Sequence, residues 1–179
     1  MIDYVQDRDL WQFKLPLSKE TSSYIGSLSF TFEAWDALML GGDDLVKHSR
    51  WAAAGEALLR RQSKLAEEIA RGAVRGDFAG YASIPICNCP GAFASDVGHI
   101  LSQDAPFSVT FHFAHDKLLV SLRSREDGGS DVGHIAKAFG GGGHKHAAGF
   151  SLSPAKLSEA FCWWVDPCRQ AAAKLSGGA

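Results

Sequence analysis

No apolar run in the 179 residues approaches the roughly 20 residues that span a bilayer, and the opening residues carry no secretory pattern. No membrane association is expected, and the cytoplasm is the expected compartment. Charge of one sign is also missing. With 18 basic and 20 acidic residues the net charge is −2, so a polyanion has to be met by a local patch rather than a global field. Cysteine is scarce. Cys87 and Cys89 form a Cys-x-Cys, and Cys162 and Cys168 lie far downstream, so neither pair has the Cys-x2-Cys spacing of structural zinc sites. Free thiols in a reducing compartment are expected instead. His112 and His115 fall on an expected strand at a spacing that puts them on opposite faces, which argues against a shared ligand. The remainder is ordinary: 46% hydrophobic and 21% charged, enough for one substantial core or one core with a satellite.

Against that background, residues 140–150 stand out, because Gly140, Gly141, Gly142 and Gly143 run directly into His144 between an expected helix and an expected strand. Glycines can take positive φ and turn successive N–H groups into one concavity, which suits an anionic oxygen. His144 adds a side-chain donor. The loop follows a helix C-terminus, where the macrodipole is negative, so cations must help; Arg123 and Lys145 are nearest in sequence. Four glycines alone read as a flexible linker. Here the framing argues otherwise: Asp131 can cap a helix through Val132, Ile135, Ala136 and Phe139, and Gly140 sits where a helix end favours a left-handed residue.

Three segments carry a family resemblance: Ser121-Leu122-Arg123-Ser124, then Asp131-Val132-Gly133-His134-Ile135-Ala136, then the glycine run with His144 and Ala147-Ala148-Gly149-Phe150. In order and spacing they resemble the DHH-associated C-terminal domain of the DHH (Asp-His-His) phosphoesterase superfamily, with its GGGH motif. That superfamily includes single-strand exonucleases, oligoribonucleases, cyclic-dinucleotide phosphodiesterases and pyrophosphatases. The resemblance implies a phosphate or terminal-nucleotide site built from Arg123, Ser124, Gly140, Gly141, Gly142, Gly143 and His144. A guanidinium suits bidentate phosphate binding.

Members of the superfamily hydrolyse phosphoesters at a two-metal site built mainly from an upstream module with Asp-x-Asp and Asp-His-His motifs, which this chain is expected to lack. The segment Tyr4-Val5-Gln6-Asp7-Arg8-Asp9-Leu10-Trp11 resembles the end of that module, with Asp7 as its last metal-binding aspartate and Asp9 the rival assignment. One carboxylate cannot hold two hard cations. Manganese or magnesium is therefore expected for the full-length parent and none for this chain alone, which is expected to be inactive by itself.

The expected fold is α+β: a mixed sheet with flanking helices, preceded by a long connector helix and a small helical remnant of the catalytic module. Residues 1–42 are read as that remnant, including a helix around Phe32, Trp35, Leu38 and Met39, with Trp11, Phe13 and Trp35 either former interface or a small core. Residues 43–75 form the connector, capped by Asp43, with Trp51, Leu58, Leu65 and Ile69 in one stripe. Its Lys47, Arg50, Arg60, Arg61, Lys64, Arg71 and Arg75 could track a nucleic-acid backbone, but interleaved glutamates make a solvated face the commoner cause. Residues 76–179 form the substrate-binding domain: a strand from Phe78 to Ile84, a short helix capped at Ser95-Asp96, a hairpin turning at His115-Asp116, the helix and glycine loop, a strand over 147–153 and a closing helix from Pro154 to about Leu175.

Two functions follow from the resemblance. One is the nucleotide-binding domain of a metal-dependent phosphoesterase of exonuclease or oligonucleotide phosphodiesterase type, gripping a single-stranded oligonucleotide or nucleotide for an upstream module. The alternative is a nonenzymatic nucleic-acid-binding module like the domain appended to alanyl-tRNA synthetases. The residues leave open whether the parent substrate is DNA, RNA, a cyclic dinucleotide or a smaller phosphoester, and they leave the oligomeric state open.

Overall fold

The computed structural model describes residues 2–10, 12–41 and 45–153. Trp11, Asp43 with its expected cap, the expected closing helix and Cys162 and Cys168 lie outside the described residues. The chain divides into two compact units, residues 1–65 and 66–179.

The first unit is helical: α1 (Ile2–Asp9), α2 (Ser18–Gly26), α3 (Phe32–Gly41) and most of α4 (Leu45–Ala70). The expected helix around Phe32 is α3, with Leu38 buried. Small residues bury the face of α4 here. A Cβ on Gly55 would run into the backbone carbonyl of Glu20, so glycine lets α4 lie directly on α2. Leu58 of the expected apolar stripe is exposed, while Ala52 is buried. Phe13 and Trp35 are half-buried: the Lys19 amine stands 5.1 Å from the Phe13 ring, and Trp35 meets Phe30 edge-on at 5.9 Å. Among the described residues of this unit the exposed aromatics are Phe30 and Phe32.

The second unit is a six-stranded mixed sheet with helices packed on it, the α+β architecture expected. Its strands are β1 (Val74–Phe78), β2 (Tyr81–Asn88), β3 (Ser108–Ala114), β4 (Lys117–Arg123), β5 (Gly142–His144) and β6 (Ala147–Leu152), in the order β1-β2-β3-β4-β6-β5. Only β2–β3 is parallel; it is bridged by α5 (Ala94–Leu101). The β3–β4 hairpin turns at His115-Asp116 as expected, pairing Ala114 with Lys117. Between β4 and β5 runs α6 (Val132–Ala138).

Strand alternation sorts the core. Leu118, Val120 and Leu122 of β4, Val109 and Phe111 of β3, and Ala148, Phe150 and Leu152 of β6 share one face with Val132, Ile135 and Ala136 of α6. Phe139 stacks on Phe150 at 4.6 Å, closing this core. On the other face Ala66, Ala70, Cys87, Cys89, Ala94 and Val97 form a second cluster. Burial pushes the Cys89 thiol up to about 11, so it is a protonated packing group.

Three sequence expectations are corrected. The connector helix stops at Ala70 rather than Arg75, since Gly72 N–H turns back to the Ile69 carbonyl and Val74 already begins β1. The single strand expected from Phe78 to Ile84 is a hairpin, folded at Ala79 and Gly80, which both take positive φ (53° and 81°). Ser95 does not cap α5, which begins one residue earlier; its hydroxyl has another partner.

Candidate functional site

The glycine run is built into a helix end and an edge strand and is not a linker. Gly140 takes φ 77°, the left-handed end expected of it, and its N–H donates to the Lys137 carbonyl at 3.0 Å while Gly141 N–H donates to Ala136 at 2.9 Å. This pair of bonds closes α6 in a Schellman arrangement, so those two N–H groups are not presented to an anion. Gly142, Gly143 and His144 then pair with Gly149, Ala148 and Ala147 as an edge strand. Flexibility at these positions is therefore used up by the fold.

Three of the glycines have structural reasons to lack a side chain. Gly140 needs its positive φ. A Cβ on Gly141 would meet the Gly149 carbonyl and the Phe150 side chain, and Gly143 combines φ 142° with the Ala148 Cα only 2.5 Å from a Cβ position. Gly142 differs. Its φ lies outside the left-handed region and a Cβ there would meet nothing within 4 Å.

Register decides what surrounds that open position. Ser108, Arg123, Ala147 and His144 form one cross-strand row over β3, β4, β6 and β5, and Thr110, Ser121, Gly149 and Gly142 form the row at the same face two residues further along each strand. Arg123 and His144 thus stand on either side of Ala147, about 9–10 Å apart by strand spacing. Between and beside them the floor is made of Ala147, Gly149 and Gly142.

Arg123 is half-buried and held. One guanidinium nitrogen donates to the Leu122 carbonyl at 2.9 Å and another to Ser95 Oγ at 2.8 Å, while a Cβ on Gly98 would lie 2.8 Å from the Arg123 Cγ. Desolvation lowers its pKa from the usual arginine value, though an arginine remains charged. His144 is exposed on the edge strand, and Lys145 occupies the following turn. Ser124 is buried: it donates to the Ser130 carbonyl at 2.7 Å and meets His146 Nδ1 at 3.0 Å. Asp131 caps α6 as expected, accepting from His134 N–H at 2.9 Å.

Sequence reasoning missed Ser95, Gly98 and His146, the side chains and backbone that hold Arg123 and Ser124. Only the packing of α5 against β3 and β4 reveals the first two. A cleft of about 360 Å3 elsewhere in this unit is lined by Arg71, Arg75, Glu67 and Asp104 among others, and shares no residue with the rows above.

Asp7 and Asp9 do have the Asp-x-Asp spacing, contrary to the absence expected, but two residues apart on α1 they do not face each other. Asp9 is exposed, 3.6 Å from Arg8, whereas Asp7 is buried. The Asp7 carboxylate accepts from Lys14 N–H at 2.9 Å, Leu15 N–H at 3.2 Å and Ser18 Oγ at 2.5 Å, organising the turn into α2, whose own Leu17 offers no side-chain cap. Burial alone would raise its pKa; these hydrogen bonds outweigh it and hold the pKa below the ordinary value. The linked stability is therefore complete above the ordinary carboxylate range and is lost as pH falls through the lowered folded value. Asp7→Ala is expected to melt well below the parent at neutral pH, with the gap closing in acid, in thermal scans across pH. An unchanged neutral melting temperature would contradict this.

Among the described residues no group of three or more His, Cys, Asp or Glu could hold a metal ion. With Asp7 engaged by three donors, the residues present do not fit a two-metal centre, and no chemical step is derived through one. Nor, among the described residues, is any helix long and apolar enough to cross a membrane.

An uncharacterised protein of Acanthamoeba polyphaga mimivirus is 29% identical over 163 residues, 86% of this chain and 37% of that protein. In fold, the chain is similar to a pGpG-specific phosphodiesterase, PggH from Vibrio cholerae, with a TM-score of 0.53 and 13% identity over 91% of this chain and 59% of that one. RecJ from Thermus thermophilus, solved in complex with Mn2+, gives a TM-score of 0.48 and 19% identity over 83% of this chain and 22% of that one. This chain thus spans less than two thirds of each. The family model that matches is the DHHA1 domain, over residues 91–161, which cover α5, β3, β4, α6, β5 and β6 and so the whole of the row from Ser108 to His144. Residues 91–161 of the chain thus carry a DHHA1 domain.

Proposed function

We propose that this chain is the nucleotide-binding part of a DHH-type phosphoesterase, with the sheet face between Arg123 and His144 receiving a phosphate and its attached nucleoside. The observation that carries this reading is Gly142: no φ requirement and no packing explains its missing side chain, yet it lies on the floor beside the two cationic or donor side chains. A flat floor of Gly142, Ala147 and Gly149 leaves room for a planar group, and Arg123, already oriented by Ser95, can present its remaining N–H donors to phosphate oxygens. Gly140, Gly141, Gly143 and Ser124 then serve as scaffold rather than as ligands.

Hydrolysis belongs, in this reading, to an upstream DHH module that would supply the divalent metal ligands and the scissile geometry. This chain's task is to bind, orient and release the nucleotide end. Single-stranded oligonucleotides and nucleotides in the cytoplasm are the proposed substrates.

The test is calorimetric titration of the chain with mononucleotides, dinucleotides and short single strands of ribo- and deoxyribo-type. At least one class is expected to bind, and His144→Ala, which removes an exposed side chain, is expected to weaken that binding several-fold with an unchanged melting temperature. Identical affinity in the parent and in His144→Ala would place the ligand elsewhere.

A further inference from the structure

We infer that His146 is a positioning residue for this site, locked as the Nδ1–H tautomer, and that it ties together the three segments on which Arg123 and His144 depend. The inference rests on the site reading given above. A serine hydroxyl has one proton, and that of Ser124 goes to the Ser130 carbonyl, which can only accept. The contact of 3.0 Å between Ser124 Oγ and His146 Nδ1 therefore needs its proton from the imidazole. Neutral His146 then carries its hydrogen on Nδ1 and its lone pair on Nε2.

The resulting chain, His146 to Ser124 to Ser130, joins the β5–β6 turn, the end of β4 and the loop leading to α6. Backbone bonds run alongside it: Ser124 N–H to His146 O at 3.2 Å, Val132 N–H to Lys145 O at 2.8 Å, and Ser130 N–H to Pro106 O at 2.9 Å. Arg123 directly precedes Ser124, and His144 lies two residues before His146, so the brace sets the spacing between them. His146 itself shares the alternation of Ala148 and Phe150, on the face opposite His144. It acts through its neighbours and touches no ligand.

The test combines tautomer and rescue. Long-range 1H–15N spectra of the full chain are expected to show the proton on Nδ1; a protonated Nε2 with a bare Nδ1 overturns the proposal. His146→Asn places an amide N–H where Nδ1–H was, whereas His146→Gln places it where Nε2 was. With a 5′-phosphorylated dinucleotide as probe, Asn is expected to bind within twofold of the parent, and Gln and Ala to lose about five- to tenfold. Equal binding by all three variants overturns the positioning role. Should the parent itself fail to bind the dinucleotide, the proposed function falls, and the tautomer together with the Arg123 and His144 amide shifts in the Asn and Gln variants still decides this inference: shifts restored by Asn and not by Gln support it, and any other pattern sinks it.

Discussion

Gly142→Val is expected to fold like the parent and lose its nucleotide, whereas Gly143→Val is expected to lose the edge of the sheet. The two residues are neighbours on one short strand, so composition and position cannot separate them; geometry does. At Gly143 a side chain would have to adopt φ 142° and also push into the Ala147 carbonyl and the Ala148 Cα, at 2.6 Å and 2.5 Å. Strain and overpacking each cost about 1–3 kcal/mol, so a total on the order of 3 kcal/mol is expected. That is a large share of a domain's stability. At Gly142 a valine meets nothing within 4 Å and suits a strand, so chemical denaturation should report little change. Its methyl groups would instead occupy the floor on which the nucleotide is placed. Equal loss of stability in both variants would refute the distinction, and unimpaired binding by Gly142→Val would remove the main support for the site.

Arg123→Lys is expected to reduce nucleotide affinity roughly 10- to 100-fold while the protein stays folded, since hydrogen bonds to charged groups contribute about 1.5–3 kcal/mol and lysine keeps the charge but not the fork. Some stability is also expected to go, about 1 kcal/mol, because the bond to Ser95 Oγ is lost. Lysine is the better probe than alanine here: the arginine stem packs on Gly98, and removing it would mix a packing defect with the loss of a ligand contact. Gly98→Ala supplies an independent check, because its methyl would crowd the Arg123 Cγ and shift the guanidinium without touching the ligand. A drop in affinity in both variants supports Arg123 as a contact. A drop in neither sinks it.

Much of this arrangement is legible in the residues, and the failures have identifiable causes. Asp131, the apolar stripe of α6 and Gly140 announce a capped helix ended by a left-handed residue because each is a local effect, set within a turn of chain. The β3–β4 hairpin is legible for the same reason. The glycine run reads as one anion nest in sequence because four glycines look alike there, while in the fold they meet four different environments: a helix end at Gly140, the Phe150 side chain at Gly141, open space at Gly142 and the Ala148 backbone at Gly143. Those environments come from β6 and from pairing across the sheet. The partners of Ser124 are equally hidden in sequence, since only the fold turns its hydroxyl inward to Ser130 and His146. Asp7 resembles a metal ligand by its place in a segment, but its three donors lie 7, 8 and 11 residues away in the turn it organises.

The most direct measurement of the central claim is a 1H–15N correlation spectrum of the chain titrated with a 5′-phosphorylated dinucleotide. Amide shifts are expected to concentrate on Ser121, Arg123, Gly142, His144, Ala147 and Gly149, the two rows of one sheet face, with little change along α4. Shifts confined to Arg60, Arg61 and Lys64 of that helix, or no saturable shifts at all, would contradict the account.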